Sequence, residues 1–194
     1  MSVIGVVASA TGGVEQLRVG LVRPLLDREH QVAITVTPTA AAWIAPAERW
    51  ELEQITGLPV RSQPRRPGEA RPHPPIDLFV AAPASANTVA KLALGIGDNQ
   101  ALSVLSEGLG STPMVVFPKV NAAHARHPAW AGHLDTLREA GVVLVEWELL
   151  EPRTEAKREL PWDRVLAAVD GLADQFFQGR LRDRGAGMTD GGDG

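Results

Sequence analysis

The chain has 194 residues, of which 44% are hydrophobic and 22% are charged, and its formal net charge is −4. These values are typical of one soluble globular domain that is long enough to bury a core of its own. The negative charge and the absence of Tyr argue against a nucleic-acid surface, and no apolar run approaches the roughly 20 residues of a membrane span.

The first part of the chain is typical of a β-α-β unit. Residues 3–8 form a short apolar run that predicts a strand, and apolar side chains recur at helical spacing over residues 14–26. Residues 32–37 are rich in β-branched side chains and predict a second strand. A right-handed crossover would place the two strands side by side and parallel, as in doubly wound α/β folds.

The remaining elements continue this alternation, apart from a proline-rich and charged loop over residues 61–75. We predict strands at 76–82, 114–117 and 142–145, and helices at 40–44, 48–56, 87–94, 99–109, 128–140 and 165–176. The sequence therefore predicts a single α/β domain over residues 1–177, with a Rossmann-like doubly wound parallel sheet. A disordered tail rich in Gly and Asp is predicted over residues 178–194.

Small, hydroxyl and amide side chains follow four of the predicted strands. Because the carboxyl ends of parallel strands meet at one edge of a sheet, we expect these turns to line one crevice. Backbone N–H groups at a strand-to-helix turn favour a phosphate, an exposed Trp can cover a flat ring, and an Asn amide can bind a carboxylate. The candidates are Ala8, Ser9, Thr11, Thr37, Trp43, Ser85, Ala86, Asn87, Thr88 and Asn121. Taken singly, each turn also fits an ordinary βα connection, and Trp43 also fits a core residue.

Cysteine is absent, which excludes disulfides and thiolate chemistry by this chain. The five His lie outside any HExxH pattern, so no metal site is predicted. His73 lies in the proline-rich loop, where a solvated residue and a catalytic one are both possible interpretations. The first residues lack a basic segment before an apolar run, so we expect a cytoplasmic protein without a secretory signal.

Residues 83–88 read Pro-Ala-Ser-Ala-Asn-Thr and resemble the PASANT motif of the homo-oligomeric flavin-containing cysteine decarboxylases. Residues 118–121, Pro-Lys-Val-Asn, resemble the Pro-x-Met-Asn element of that family. Residues 95–99 resemble the Gly-x-x-Asp-Asn stretch that follows PASANT, and residues 6–17 and 37–44 resemble two earlier flavin-contacting turns. The resemblance covers residues 3–145, and within the family it is closest in type to the peptidyl-cysteine decarboxylases.

The resemblance implies a Rossmann-like subunit that binds FMN and associates with copies of itself as a homotrimer or dodecamer. It implies that Ser9, Thr11, Thr37 and residues 85–88 hold the phosphate and ribityl chain of FMN. It further implies that Trp43 lies against the flavin and that Asn121 binds the carboxylate of the substrate.

Three departures from the family pattern concern the substrate end. The family's catalytic His corresponds, without gaps, to a position near Glu69, so the base is His73, Glu69 or another group. Val120 replaces Met, and His124 and Ala125 replace Met-Trp. Residues 146–160 contain no Cys, whereas the family's coenzyme A pathway enzymes carry a cysteine in a flap at that point.

From this resemblance we expect an FMN-dependent oxidative decarboxylase that acts on the C-terminal cysteine of a peptide. The enethiol product would serve to build an aminovinyl-cysteine ring in a ribosomal peptide natural product. The alternatives are a phosphopantothenoylcysteine decarboxylase of coenzyme A biosynthesis and a flavin-binding regulatory subunit without catalysis. The expected partners are a peptide with a C-terminal Cys and further copies of the chain, with no nucleic acid and no membrane.

Overall fold

A computed structural model describes residues 1–149, 151–152 and 159–186, with side chains as far as residue 175. Its centre is a five-stranded parallel sheet with the strand order β2-β1-β3-β4-β5. The strands are β1 (Val3–Ala8), β2 (Gln31–Val36), β3 (Leu78–Ala84), β4 (Met114–Pro118) and β5 (Val143–Leu144). The predicted doubly wound α/β fold is therefore confirmed.

Helices cover both faces of this sheet. They are α1 (Arg23–Asp27), α2 (Pro38–Trp43), α3 (Pro46–Thr56), α4 (Ala86–Ala93), α5 (Gln100–Gly108), α6 (Ala122–Ala125), α7 (Trp130–Glu139) and α8 (Trp162–Ala186). A 3-10 turn at Val14–Gln16 and a π-helical segment at Arg18–Val22 precede α1. The single helix predicted over residues 14–26 thus contains three successive helical geometries.

Side chains alternate between two cores along the central strands. Ile4, Val6 and Ala8 of β1 point into a core that contains residues of α1 and α8, while Val7 points into a second core. The second core holds apolar residues of α4, α5 and α7. Because both faces are covered, the strands are apolar at nearly every position, as buried parallel strands usually are.

The contact between α8 and the π-helical segment depends on a residue without a side chain. A Cβ built on Gly20 would lie 2.4 Å from Nε1 of Trp162. The Trp162 indole also packs edge-on against Phe117, with ring centroids 6.3 Å apart. Gly20 therefore lets the first residue of α8 approach the sheet closely enough to cover β4.

Several element bounds differ from the predicted ones. β3 continues to Ala84 through a cis Ala82–Pro83 peptide, and α8 continues to Ala186 instead of ending before the tail predicted from residue 178. Residues 178–186 contain Gln, Arg and Leu, which favour helix enough to extend α8 despite the interspersed glycines. The rest of the predicted tail, 187–194, lies outside the described residues. Among those described, no helix is long and apolar enough to cross a bilayer.

Candidate active site

An open cleft of about 340 Å³ lies at the carboxyl ends of β1, β3 and β4. Its wall includes Thr11 after β1, Ser85 and Ala86 after β3, and Lys119 and Asn121 after β4. Three of the four predicted turns therefore converge on one cavity, since neighbouring parallel strands end at the same sheet edge.

Ser9 connects two of these turns. Its side chain is buried, and its hydroxyl donates to the carbonyl oxygen of Pro83 at 2.9 Å and accepts from the backbone N–H of Ser85 at 2.7 Å. The backbone N–H of Ser9 donates to the same carbonyl at 3.0 Å. Ala8, just before Ser9, is fully buried at the end of β1. Ser9 thus fixes where Ser85 stands, and its hydroxyl is engaged within the chain.

Ser85 caps the helix that begins at the cleft. Its Oγ accepts from the backbone N–H of Thr88 at 3.3 Å and lies 3.1 Å from the Thr88 hydroxyl, which is buried. The N–H groups of Ala86 and Asn87 belong to the first turn of α4 and have no acceptor within the helix. These two amides and the positive end of the α4 dipole make the cleft suitable for an anion such as a phosphate.

Asn121 caps α6 through the oxygen of its side-chain amide. Its Oδ1 accepts from the backbone N–H of His124 at 3.0 Å. This bond assigns the oxygen to the helix end, and Nδ2 has no acceptor among the residues that the structure describes. Since Asn121 is half-buried in the cleft wall, its two N–H donors are available to a carboxylate.

Lys119 is a cleft residue that the sequence analysis did not single out. Its backbone carbonyl accepts from the Thr11 hydroxyl at 3.2 Å, which joins the turns after β1 and β4. Its ammonium lies 4.1 Å from the centre of the Trp147 ring. Burial lowers the pKa of Lys119, and the charge of Glu15 partly opposes this shift. The available signal was a cation inside the four residues, 118–121, that follow β4.

The turn after β2 lies beside the cleft without lining it. Thr37 is buried and caps α2, with its hydroxyl accepting from the Ala40 N–H at 3.3 Å and its own N–H donating to Ala8. Trp43, at the end of α2, is 59% exposed, so the interpretation of Trp43 as a core residue is wrong. An exposed indole at this end of the sheet remains open to contact with a ring or a second chain.

His73 lies in a different cavity, of about 430 Å³, which it shares with Arg61 and Glu107. Its Nε2 is 2.8 Å from the carbonyl oxygen of Pro59. Burial lowers the pKa of His73, the Pro59 carbonyl opposes the shift, and the Arg61 charge adds to it. Glu69 is exposed and accepts from the N–H of Arg66. Within one chain, neither candidate base lines the cleft that holds Asn121.

The donor set of the cleft fits a flavin nucleotide. The Ala86 and Asn87 amides at the start of α4 are the type of donor that a phosphate group takes. The exposed Trp43 indole offers an aromatic face near the same sheet edge. By contrast, the described part of the chain contains no cluster of three or more His, Asp and Glu side chains that could hold a metal ion.

Comparison with known proteins gives one family. The sequence model of the Flavoprotein family matches residues 2–174. The bifunctional coenzyme A biosynthesis protein CoaBC of Mycobacterium tuberculosis is 28% identical over 146 residues, which are 73% of this chain and 34% of that protein. The phosphopantothenoylcysteine decarboxylase of rice is 38% identical over 69 residues, or 36% of this chain and 31% of the rice protein. The chain thus spans about a third of the length of these two relatives.

Solved structures share the fold at low sequence identity. TvaF, described as an FMN-dependent cysteine decarboxylase from thioviridamide biosynthesis, superposes with a TM-score of 0.69 at 23% identity over 89% of this chain and 99% of TvaF. The peptidyl-cysteine decarboxylase EpiD gives 0.66 at 20% identity, over 86% of this chain and 97% of EpiD. A mutant of a PPC decarboxylase superposes with a TM-score of 0.61 at 19% identity, over 90% of this chain and 99% of the mutant.

Proposed function

Because the chain belongs to the Flavoprotein family, we propose that it binds FMN at the cleft and oxidatively decarboxylates the C-terminal cysteine of a peptide. The product is an enethiol suited to forming an aminovinyl-cysteine ring. The observation that carries the proposal is that Nδ2 of Asn121, which has no acceptor among the described residues, lies in the same cleft as the α4 N-terminus. The Asn121 amide fits the carboxylate of a substrate, and the α4 N-terminus fits the phosphate of a nucleotide.

In this mechanism the chain orients the substrate and accepts the proton of its thiol. A flavin held at this cleft would supply a two-electron oxidation of the cysteine, which turns the sulfur-bearing Cβ into a thiocarbonyl that can accept the electron pair left on Cα when CO₂ departs. Asn121 holds the carboxylate by donating from Nδ2, so that the C–C bond to be broken is fixed in place. A neutral imidazole accepts the thiol proton, and the lowered pKa of His73 keeps its ring neutral near pH 7.

Self-association brings the two groups together in this proposal. His73 and Asn121 line separate cavities of one chain, so a site that uses both needs His73 from a neighbouring copy. A cyclic homotrimer repeats one such contact three times and leaves no copy unpaired. The exposed Trp43 and Trp50 also suit an interface, where aromatic side chains are enriched.

The test combines a spectrum with a mass measurement. The purified protein should carry FMN absorbance, and a peptide ending in Cys should lose CO₂ and two hydrogen atoms. A matched peptide ending in Cys-amide has no carboxylate to lose and serves as the control. Bound FMN together with unchanged Cys-terminated peptides of several sequences would contradict the proposed substrate class, and absence of flavin would contradict the cofactor.

A phosphopantothenoylcysteine decarboxylase is the second candidate, and the names of the rice and mycobacterial relatives favour it. The absence of Cys from the whole chain weighs against it, because reduction of the enethiol there relies on a cysteine. The same assay with phosphopantothenoylcysteine separates the two functions. Loss of CO₂ alone from this small substrate supports the second candidate, whereas turnover of neither substrate supports a regulatory flavin-binding subunit.

A further inference from the structure

Lys119 lines the cleft two residues before Asn121, and its ammonium has an oriented position. The ammonium lies over the face of Trp147, 4.1 Å from the ring centre. Trp147 is itself held against the buried Phe117 ring, with centroids 5.8 Å apart. The backbone N–H of Lys119 donates to Ala84 at 2.8 Å. Both ends of this lysine are therefore tied to the sheet, and its charge has a defined position.

The positive charge of Lys119 is not neutralised by an ion pair within the described part of the chain. The acidic residue that lines the same cleft, Glu151, forms a two-pronged ion pair with Arg126, with N–O distances of 2.6 and 3.2 Å. Glu15 attracts Lys119 without forming a salt bridge to it. A half-buried cation without a carboxylate partner favours an anionic ligand, since burial removes part of its hydration.

We propose that Lys119 is a specificity-determining residue that binds the substrate carboxylate together with the Asn121 amide. This inference rests on the proposed function and assigns its substrate a free, ionised C-terminus. Lys119 and Asn121 are separated by one residue in the turn after β4, and both line the cleft. A charged donor beside a neutral one discriminates a carboxylate from an amide of the same shape, since only the carboxylate satisfies both.

The proposed contact between Lys119 and the substrate carboxylate should affect substrate binding more than the rate of the chemical step. As CO₂ leaves, the negative charge moves from the carboxylate to the remaining carbon and sulfur atoms. Lys119 therefore stabilises the bound substrate at least as much as the transition state, and such binding lowers KM without raising kcat. A Lys119→Met variant should raise KM for a Cys-terminated peptide by about 10- to 100-fold, with a smaller change in kcat.

The test uses two unreactive peptides of one sequence that end in Ser with a free carboxylate and in Ser-amide. Calorimetric titration of the FMN-loaded wild type should give tighter binding of the carboxylate peptide by about 10-fold or more. Lys119→Met should abolish most of this preference. Lys91→Met removes a lysine that pairs with Asp98 outside the cleft, and it should leave the preference unchanged. Lys119→Gln removes the charge and keeps a polar side chain. Thermal melting of all variants shows whether a lost preference reflects lost recognition or lost folding.

Three outcomes contradict the inference. A retained carboxylate preference in folded Lys119→Met and Lys119→Gln overturns it while leaving the proposed function intact, provided that the wild type turns over Cys-terminated peptides. A loss of FMN affinity with unchanged peptide preference assigns Lys119 to the flavin phosphate instead. A wild type that binds FMN but prefers neither peptide overturns the inference together with the proposed peptide substrate.

Discussion

At the scale of single residues, the site uses side chains that cap helices and also face the cleft. Ser85 and Asn121 each accept from the helix that they begin, which fixes their rotamers without consuming every polar group. An Asn cap differs from a Ser or Asp cap because its oxygen faces the helix while two N–H donors remain. This difference allows the structural role of Asn121 to be separated by substitution from the recognition role that we propose for it.

Asn121→Asp and Asn121→Ser should keep the cap of α6 and lose the two amide N–H donors. We expect kcat/KM for a Cys-terminated peptide to fall by about 10-fold or more, and further for Asp because it repels the carboxylate. Urea unfolding should change little, since both residues are good N-caps, whereas Asn121→Ala should also lose about 1 kcal/mol. Activity of Asn121→Asp close to that of the wild type would contradict carboxylate recognition by Asn121.

The lowered pKa of His73 leads us to predict how kcat/KM depends on pH. Burial lowers its pKa, so the neutral, proton-accepting ring persists to lower pH than in an ordinary His, whose pKa is about 6.5. The kcat/KM profile should therefore decline on the acid side only below about pH 6.5. His73→Gln should remove this acid limb and most of the activity, while His133→Gln on α7 should leave both unchanged. An acid limb that persists in His73→Gln would identify another base.

At the scale of elements, the helices position the turns by close packing against the sheet. The π-helical segment presents Gly20 to Trp162 at the start of α8, and Trp162 in turn covers Phe117 of β4. The next residues along the chain from Phe117 lead directly into the turn that carries Lys119 and Asn121. Packing between α8 and the sheet therefore supports the β4 side of the cleft.

Gly20→Ala tests this packing. The added Cβ would lie 2.4 Å from the indole of Trp162, so one of the two elements must shift, at a cost of about 1–3 kcal/mol in unfolding free energy. Gly171→Ala in α8 adds the same methyl group where no atom lies within 4 Å. This control should be neutral or stabilise by up to about 1 kcal/mol. Equal stabilities of the two variants in urea unfolding would exclude the close contact.

At the scale of the whole molecule, the separation of His73 from Asn121 requires a second copy in the proposed function. Mixing the impaired variants His73→Gln and Asn121→Asp under exchange conditions should raise the activity above that of either variant alone. In a cyclic oligomer mixed at random, about a quarter of the shared sites would receive an intact His73 and an intact Asn121. Activity in the mixture no higher than that of either variant alone would contradict a site shared between copies.

The sequence was sufficient for the fold because local patterns and global architecture agree. Apolar runs such as residues 78–82 mark strands buried on both faces, and the alternation of strands with amphipathic helices leaves a parallel sheet as the consistent solution. Element bounds were less predictable. The π-helical segment and the extension of α8 to Ala186 depend on packing and helix propensity that a periodic pattern does not encode.

Some residues of the candidate site could also be placed from the sequence, and others could not. Thr11, Ser85, Ala86 and Asn121 follow strands whose parallel order already brings their turns to one edge, so their convergence follows from the sequence pattern. Trp43 and His73 could not be placed in this manner, because neither lies in the residues directly after a strand.

By itself, the sequence determined the parallel α/β class, the family resemblance and the turns that carry hydroxyl and amide groups, because strands, amphipathic helices and local caps follow from short-range patterns. The full strand order is a property of the tertiary structure. Only the tertiary structure decided which polar atoms are already engaged. It shows that the Ser9 hydroxyl is used within the chain, that Nδ2 of Asn121 has no acceptor in the described part of the chain, and that Trp147 orients the ammonium of Lys119. The contacts of Ser9 and Lys119 join residues far apart in the chain, such as Ser9 with Ser85, and no local pattern contains them.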